Sequence, residues 1–321
     1  MYVTHDIVAQ YAAEKVNLKR DDVSHFREQV GRLRDRLKEY IGANPEYGFV
    51  KSLHSGSLAK GTALSKLNDM DVAVYVRTSE APSSEADLLR WMEERLREAV
   101  KPLGLGEEQV EPQSHCVTLL YRGSGLNVDV VPVLHEGEPD DIGYLITKDT
   151  GDRVKTSVTL HRTFIKTRKD AQPDDFAQVV RLVKWWIRHL KQRDDDFRFK
   201  SFMAELICAR LVDRGVSMAD FPKALELFFA YIVQTGLEER ISFTDFYAAS
   251  ELPGSSTAEI EIYDPVNAEN NVASRYTRTE RLRIVEAAAD ALDAITDAAY
   301  EDGKGRAVDL WRRVLGPGFN G

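Results

Sequence analysis

Cysteine is scarce: Cys116 and Cys208 are the only two in 321 residues. Two thiols cannot by themselves build a zinc cluster, and they suit a reducing compartment better than a disulfide-stapled secreted domain. Each is expected to be a free, buried thiol. Long apolar runs are missing too. The longest clean one, Leu227 to Val233, falls far short of the ~20 residues a helix needs to cross a bilayer, so no membrane role is expected. The opening Met1-Tyr-Val-Thr-His-Asp has no basic start leading into an apolar core, so the expected compartment is the cytoplasm. Positive charge is not in excess. Lys and Arg number 43 against 52 Asp and Glu, a net −9, which excludes a surface that coats nucleic acid by displacing counterions. Internal repeats, low-complexity linkers and a Gly-Lys-Ser/Thr phosphate loop of the Walker type are also absent.

What is present is ordinary globular composition, 43% apolar and 30% charged, with length for one large domain or two closely packed lobes. Phe26, Val30, Leu33, Leu37 and Ile41 recur every three or four residues and predict an amphipathic helix over 21–41, ended by a loop around Gly42, Asn44 and Pro45. A Ser- and Gly-rich stretch, Ser52 to Thr62, precedes an apolar strand from Val72 to Val76. Leu88, Trp91, Met92, Leu96 and Val100 predict a helix over 84–100. Cys116 to Tyr121 and Leu126 to Val133 read as two strands of a hairpin joined by Arg122-Gly-Ser-Gly125. Short strands are expected over 140–160, with a turn at Asp149-Thr150-Gly151. After about residue 160 the pattern becomes helical, most clearly over 176–192, 200–214, 219–235 and about 278–300. The fold class is therefore α+β: a sheet-bearing lobe and then a helical one, an arrangement that favours a ligand cleft between them.

The chemistry concentrates in His54-Ser-Gly-Ser-Leu-Ala-Lys-Gly-Thr-Ala-Leu-Ser-Lys-Leu-Asn-Asp69-Met-Asp71. Asp69 and Asp71 lie two apart at the start of a strand, so both carboxylates point to one face and Met70 to the other. At ~4 Å in an effective dielectric of ~20 they repel by about 4 kcal/mol, tolerable at a surface or around a divalent cation. Asp129 interrupts the apolar strand Leu126-Asn-Val-Asp-Val-Val-Pro-Val, where an unpaired carboxylate is expensive. If the two strands are neighbours, the three acids converge. An all-oxygen donor set favours Mg²⁺ or Mn²⁺ over zinc. Upstream, Gly56-Ser57 and Gly61-Thr62 supply backbone N–H groups and hydroxyls that suit a phosphate. Phosphate beside metal-binding carboxylates is what phosphoryl or nucleotidyl transfer requires. Taken singly, each piece also has an ordinary reading: a strand end, a turn, a salt-bridged acid. Histidine is not needed, so His54 and His115 are read as structural, and the four tryptophans as core or lobe-interface residues.

Gly56-Ser57, then Asp69-x-Asp71, then Asp129 resembles the polymerase-β-like nucleotidyltransferase superfamily. Val180-Arg-Leu-Val-Lys184-Trp-Trp with Phe199-Lys-Ser201-Phe202-Met-Ala-Glu205-Leu resembles the C-terminal lobe of oligoadenylate synthases and cGAS/DncV-like nucleotidyltransferases, and residues 263–273 resemble the late loop of the bacterial members. The whole chain is most similar to the anti-phage enzymes of CBASS operons, in the subgroup encoded with HORMA-domain regulators and an AAA+ remodelling ATPase. The resemblance implies a nucleotidyltransferase lobe over 1–165, with an N-terminal helix bracing both lobes, a helical lobe over 166–321, and the active site in the cleft between them. It implies that Gly56 and Ser57 hold the donor's phosphates and that Asp69 and Asp71 ligate two Mg²⁺ ions, for which Mn²⁺ can substitute. Asp129 would complete the second metal site and help activate the acceptor hydroxyl.

By the same resemblance, Lys184 and Ser201 contact the triphosphate and Phe202 stacks on the base. Tyrosine is more usual at that last place, and stacking alone does not name the nucleotide. From periodicity, Val179, Leu182, Val183, Trp186 and Leu190 form the buried stripe, with Lys184, Arg188 and Lys191 outside it. The implied activity is conversion of ATP, with other ribonucleotides as further candidate substrates, into a cyclic oligonucleotide signal, cyclic triadenylate, with a HORMA-domain protein as activator. A role for DNA stays open. So do two other readings: an enzyme that modifies an RNA end or a small molecule, and a silent nucleotide-binding scaffold.

Overall fold

The computed structural model of the chain describes residues 2–43, 48–65, 69–82, 84–146, 152–254 and 256–321. It divides into two compact units, residues 18–163 and residues 1–17 with 164–321. The expected lobes, 1–165 and 166–321, differ from this at the start of the chain. The first 17 residues group with the helical unit because polar side chains tie them there: the Tyr11 hydroxyl donates to the Leu315 carbonyl at 2.9 Å, and the Asn17 amide to Gln178 at 2.8 Å.

That segment contains α1 (His5–Tyr11), which widens into a π turn over Ala12–Val16. The sheet unit follows with α2 (Arg20–Gly42), β1 (Phe49–His54), α3 (Gly56–Lys60), β2 (Asp69–Arg77), α4 (Glu85–Val100), β3 (Val110–Pro112), β4 (Val117–Tyr121), β5 (Leu126–His135), β6 (Ile142–Ile146) and β7 (Arg153–Ser157). Helix α2 buries Val30, Leu33, Leu37 and Ile41, the stripe its periodicity announces. It ends at Gly42; Asn44 and Pro45 of the expected loop lie outside the described residues, as does the expected turn at Asp149-Thr150-Gly151. Helix α4 starts where Ser84 caps it, its hydroxyl accepting from the Asp87 N–H at 3.2 Å and relieving one orphan donor of the first turn.

The strands form one mixed sheet in the order β1-β2-β5-β4-β3, with β6 joining β5 and β7 following β6. Within this sheet β2 and β5 run parallel, and the β4–β5 hairpin closes at Tyr121 opposite Leu126. Alternation sorts the side chains. Met70, Val72, Val74 and Val76 of β2, Val128, Val130 and Leu134 of β5, and Val117 and Leu119 of β4 pack against the apolar stripes of α2 and α4. On the other face a smaller cluster gathers Ala73, Tyr75 and Val133 with Leu53, Leu145 and Val158. The odd positions of β2 therefore change character along the strand, from Asp69 and Asp71 to Ala73 and Tyr75.

Helix α5 (Val158–Ala171) carries the chain from one unit into the next. The helical unit continues with α6 (Asp175–Arg193), α7 (Ser201–Asp213), α8 (Phe221–Thr235), the short pair β8 (Tyr263–Asp264) and β9 (Asn267–Asn271), α9 (Arg278–Tyr300) and α10 (Lys304–Leu315). Trp185, Trp186 and Trp311 are buried in this unit, while Trp91 packs part-buried on the core of the sheet unit. Arg168 is buried between Asp213 and Asp245 and stacks 3.9 Å from the Phe164 ring. In the late loop, Asp264 accepts from the Val266 N–H at 2.8 Å, and Oδ1 of the Asn271 side chain accepts from the N–H groups of Ile262 and Ala273.

Candidate active site

Register decides what the carboxylates can do. In the parallel β2–β5 pair Asp71 lies directly opposite Asp129, and Asp69 opposite Asn127. Opposed residues of neighbouring strands point to the same face with their backbones about 4.8 Å apart, so the three acids share one patch of the sheet. It is the face away from α2 and α4. Asp69 is exposed, while Asp71 and Asp129 are half-buried, so all three are within reach of a solute.

Gly56 forms the wall beside them. Its backbone φ is +65°, and a Cβ placed there would stand 1.7 Å from Oδ2 of Asp71. Only glycine fits both the left-handed conformation and that approach. The segment is stitched to β2 by the Ser55 N–H, which donates to the Asp71 carbonyl at 2.8 Å. Its far end closes through the Thr62 N–H to the Ser57 carbonyl at 2.9 Å. The segment itself is the single-turn helix α3, with Ser57 half-exposed in its first turn. Replacing Gly56 with Ala is expected to lower product formation by about 10²-fold, because the Asp71 carboxylate must move by an ångström or more. The same change costs about 1–2 kcal/mol of stability through the positive φ. Parallel rate and thermal-melt measurements check both, and a wild-type rate would show that the Gly56–Asp71 approach has no part in turnover.

Two further polar groups belong to this patch, and neither was singled out from the sequence. The Asn127 amide donates to Oδ1 of Asp69 at 3.0 Å. The Thr118 hydroxyl, on the other flank of β5, donates to Oδ1 of Asp129 at 2.6 Å. The signal for Thr118 was available: a four-residue connection with Tyr121 paired to Leu126 dictates that Thr118 faces Asp129. Cys116, two residues earlier on the same side of the hairpin, is within hydrogen-bond reach of Thr118 and Asp129. Burial, reinforced by the Asp129 charge, pushes its thiol up to about 11, so it stays protonated. Cys208 is fully buried and its thiol is raised strongly by burial.

His54 faces the other way. It pairs with Val72 in the β1–β2 register, on the helix-covered face, and its buried Nδ1 has no hydrogen-bond partner among the described residues. Burial and the cations Arg34, Arg27 and Arg162 hold its pKa below the ordinary histidine value. A neutral, turned-away imidazole fits the structural role expected of it. His115 is exposed beside β4.

The donor set of the patch is all hard oxygen, which suits a divalent cation such as Mg²⁺. Among the described residues no three His, Cys, Asp or Glu side chains are already gathered as a ligand cage. The backbones are adjacent, and two of the carboxylates are engaged by Asn127 and Thr118.

In the helical unit the structure places Lys184, Ser201 and Phe202 on facing helices. Ser201 is exposed at the first residue of α7, and Phe202 is half-buried beside it. Lys184 is not on an exposed face as its periodicity suggested. Only 6% of it is accessible, and its ammonium is ion-paired with Glu205, itself 1% accessible and one turn beyond Ser201. Helix α6 is buried on more sides than a single stripe provides, running without a gap from Leu182 to Ile187, which is why Lys184 is enclosed. Arg188 stays half-exposed over Trp185, and Lys191 is exposed.

Residues 2–171 match the model of the Second Messenger Oligonucleotide or Dinucleotide Synthetase domain. The chain belongs to that family. This synthetase is 48% identical over 320 residues to a cyclic AMP-AMP-AMP synthase of Escherichia coli strain MS 115-1, a match covering 100% of the chain and 99% of the relative. Its fold superposes on CdnC of E. coli MS115-1 with ATP at a TM-score of 0.93, with 47% identity over 100% of both chains. It superposes equally well on CdnC in complex with HORMA-deltaN, at a TM-score of 0.92 and 47% identity, covering 100% of this chain and 99% of the other. The α+β nucleotidyltransferase fold with its mixed sheet, expected from the motifs, is the fold of this synthetase.

Proposed function

We propose that this synthetase joins three ATP molecules into cyclic AMP-AMP-AMP and releases one pyrophosphate for each bond made. One observation carries the reading: Asp71 opposite Asp129, with Asp69 on the same face and Gly56 against them, in a chain 48% identical to a cyclic AMP-AMP-AMP synthase. For each bond, a ribose hydroxyl oxygen attacks the α-phosphorus of a neighbouring nucleotide. An O–P bond forms, the P–O bond to pyrophosphate breaks, and the hydroxyl proton departs. The Gly56–Ser57 backbone and the Ser57 hydroxyl hold the donor's phosphates. Asp69 and Asp71 would hold two Mg²⁺ ions, with Mn²⁺ as a substitute, and Asp129 completes the set and helps draw the proton from the acceptor hydroxyl. Bound there, the cations would neutralise phosphate charge and acidify the attacking hydroxyl. Lys184 and Ser201 are assigned to the triphosphate and Phe202 to the base by family resemblance. For Lys184 that assignment requires the ammonium to leave Glu205.

A HORMA-domain protein is the proposed activator, supported by the HORMA-deltaN complex of the relative. An AAA+ ATPase that remodels the pair is proposed on the family resemblance alone. Among the described residues no helix is long and apolar enough to cross a membrane.

The test is to incubate the protein with all four ribonucleotides and Mg²⁺, with and without the HORMA protein of its operon, and to analyse products by mass spectrometry. The expected result is a phosphatase-resistant cyclic triadenylate that forms from ATP alone, without any added acceptor, and increases with the HORMA protein. Product formation only when an RNA or small-molecule acceptor is supplied would point to an acceptor-modifying enzyme. Mg²⁺-dependent ATP binding without turnover under both conditions would point to a scaffold.

A further inference from the structure

We infer that Thr118 is a positioning residue for Asp129, and that its hydroxyl sets the orientation of that carboxylate toward a divalent cation and nucleotide. The inference rests on the assignment of Asp129 to nucleotidyl transfer. Strand β5 lies between β2 and β4, so Asp129 has a neighbour on each side in register: Asp71 across the parallel ladder and Thr118 across the antiparallel one. On the first side stands a like charge, which repels. On the second stands a donor. The Thr118 hydroxyl donates a hydrogen bond to Oδ1 of Asp129 at 2.6 Å, the short length of a charge-assisted bond, and the residue is only 5% accessible.

Water therefore competes poorly for this hydroxyl. Val117 and Leu119 on either side are turned to the opposite face and fully buried, which fixes the strand and hence the direction of the Thr118 side chain. With Oδ1 committed to Thr118, Oδ2 lies outside that bond. Cys116, on the same side of β4 as Thr118, adds a second group within reach of the same carboxylate. A carboxylate that accepts a defined hydrogen bond enters a metal site already oriented. Losing such an outer partner characteristically weakens metal affinity or activity by about 10–100-fold.

The variants that test this are Thr118→Val, which keeps the shape and removes the hydroxyl, and Thr118→Ser, which keeps the hydroxyl and removes the methyl. Mn²⁺ binding to the full chain, followed by electron paramagnetic resonance with ATP held at saturation, gives a readout separate from turnover. Thr118→Val is expected to raise the Mn²⁺ dissociation constant and lower turnover by about 10–100-fold, with Thr118→Ser within about threefold of wild type in both. In an Asp129→Asn background the same Thr118→Val change is expected to have no further effect on Mn²⁺ binding, since it acts through Asp129. Thermal melts accompany every variant. Equal losses in Thr118→Val and Thr118→Ser would make the residue a packing element and overturn the inference. So would wild-type Mn²⁺ binding by Thr118→Val while Asp129→Asn loses it. If Asp129→Asn itself binds Mn²⁺ and turns over as wild type, the assignment of the site falls, and this inference with it.

Discussion

Asp71→Asn is expected to reduce pyrophosphate release by about a thousandfold or more, corresponding to about 4 kcal/mol of lost transition-state stabilisation. The substitution changes one oxygen to an amide nitrogen and leaves the shape intact, so the close approach to Gly56 survives and the fold is expected to hold. The charge is what disappears. Asp71 has the most central position of the three acids: opposite Asp129, two residues from Asp69 on the same strand, and against the Gly56 backbone. Asp69, exposed at the strand's first residue and already engaged by Asn127, is expected to be somewhat more tolerant of the same change. Substituting both aspartates should leave only background release. Steady-state pyrophosphate assays on variants with wild-type melting curves decide the matter, and a folded double variant that releases pyrophosphate at the wild-type rate would refute the carboxylate assignment.

Much of this geometry is legible in the amino-acid sequence. The Asp69-x-Asp71 spacing fixed one face, and the strand–turn–strand around 122–125 fixed a hairpin whose pairing could have been counted. What the sequence could not say was that β2 and β5 are neighbours, because nothing local encodes a parallel contact between strands separated by a whole helix. Strand β1 was missed for a different reason. In Phe49-Val-Lys-Ser-Leu-His the burial runs against hydrophobicity, with Val50 exposed and Ser52 buried under Arg34, whose guanidinium donates to the Ser52 hydroxyl and carbonyl. A register shift between Phe49 and Lys51 breaks the alternation further. The sheet face and its carboxylates thus followed from period-two reasoning, whereas the strand that braces them carries an irregularity that such reasoning rejects.

The same limit governs Lys184. A period of 3.6 set it outside the apolar stripe of α6, but that helix is packed on several sides and the ammonium meets Glu205 with almost no access to water. Lys184→Met is therefore expected to destabilise the helical unit by about 3–5 kcal/mol, because it strands the Glu205 carboxylate in a buried place. Adding Glu205→Met should recover most of the loss, since replacing a whole buried pair with apolar side chains of similar volume is often neutral or stabilising. Urea unfolding followed by tryptophan fluorescence suits the test, with Trp185, Trp186 and Trp311 all in the unit concerned. A consequence for turnover follows from position. Glu205 lies one turn beyond Ser201 on α7, so the pair pins the turn that presents Ser201 and Phe202. If the pair acts only by holding α7, the double variant should regain stability together with much of the affinity for ATP. If the ammonium serves the nucleotide directly, the double variant will regain stability while the KM for ATP stays raised as in Lys184→Met.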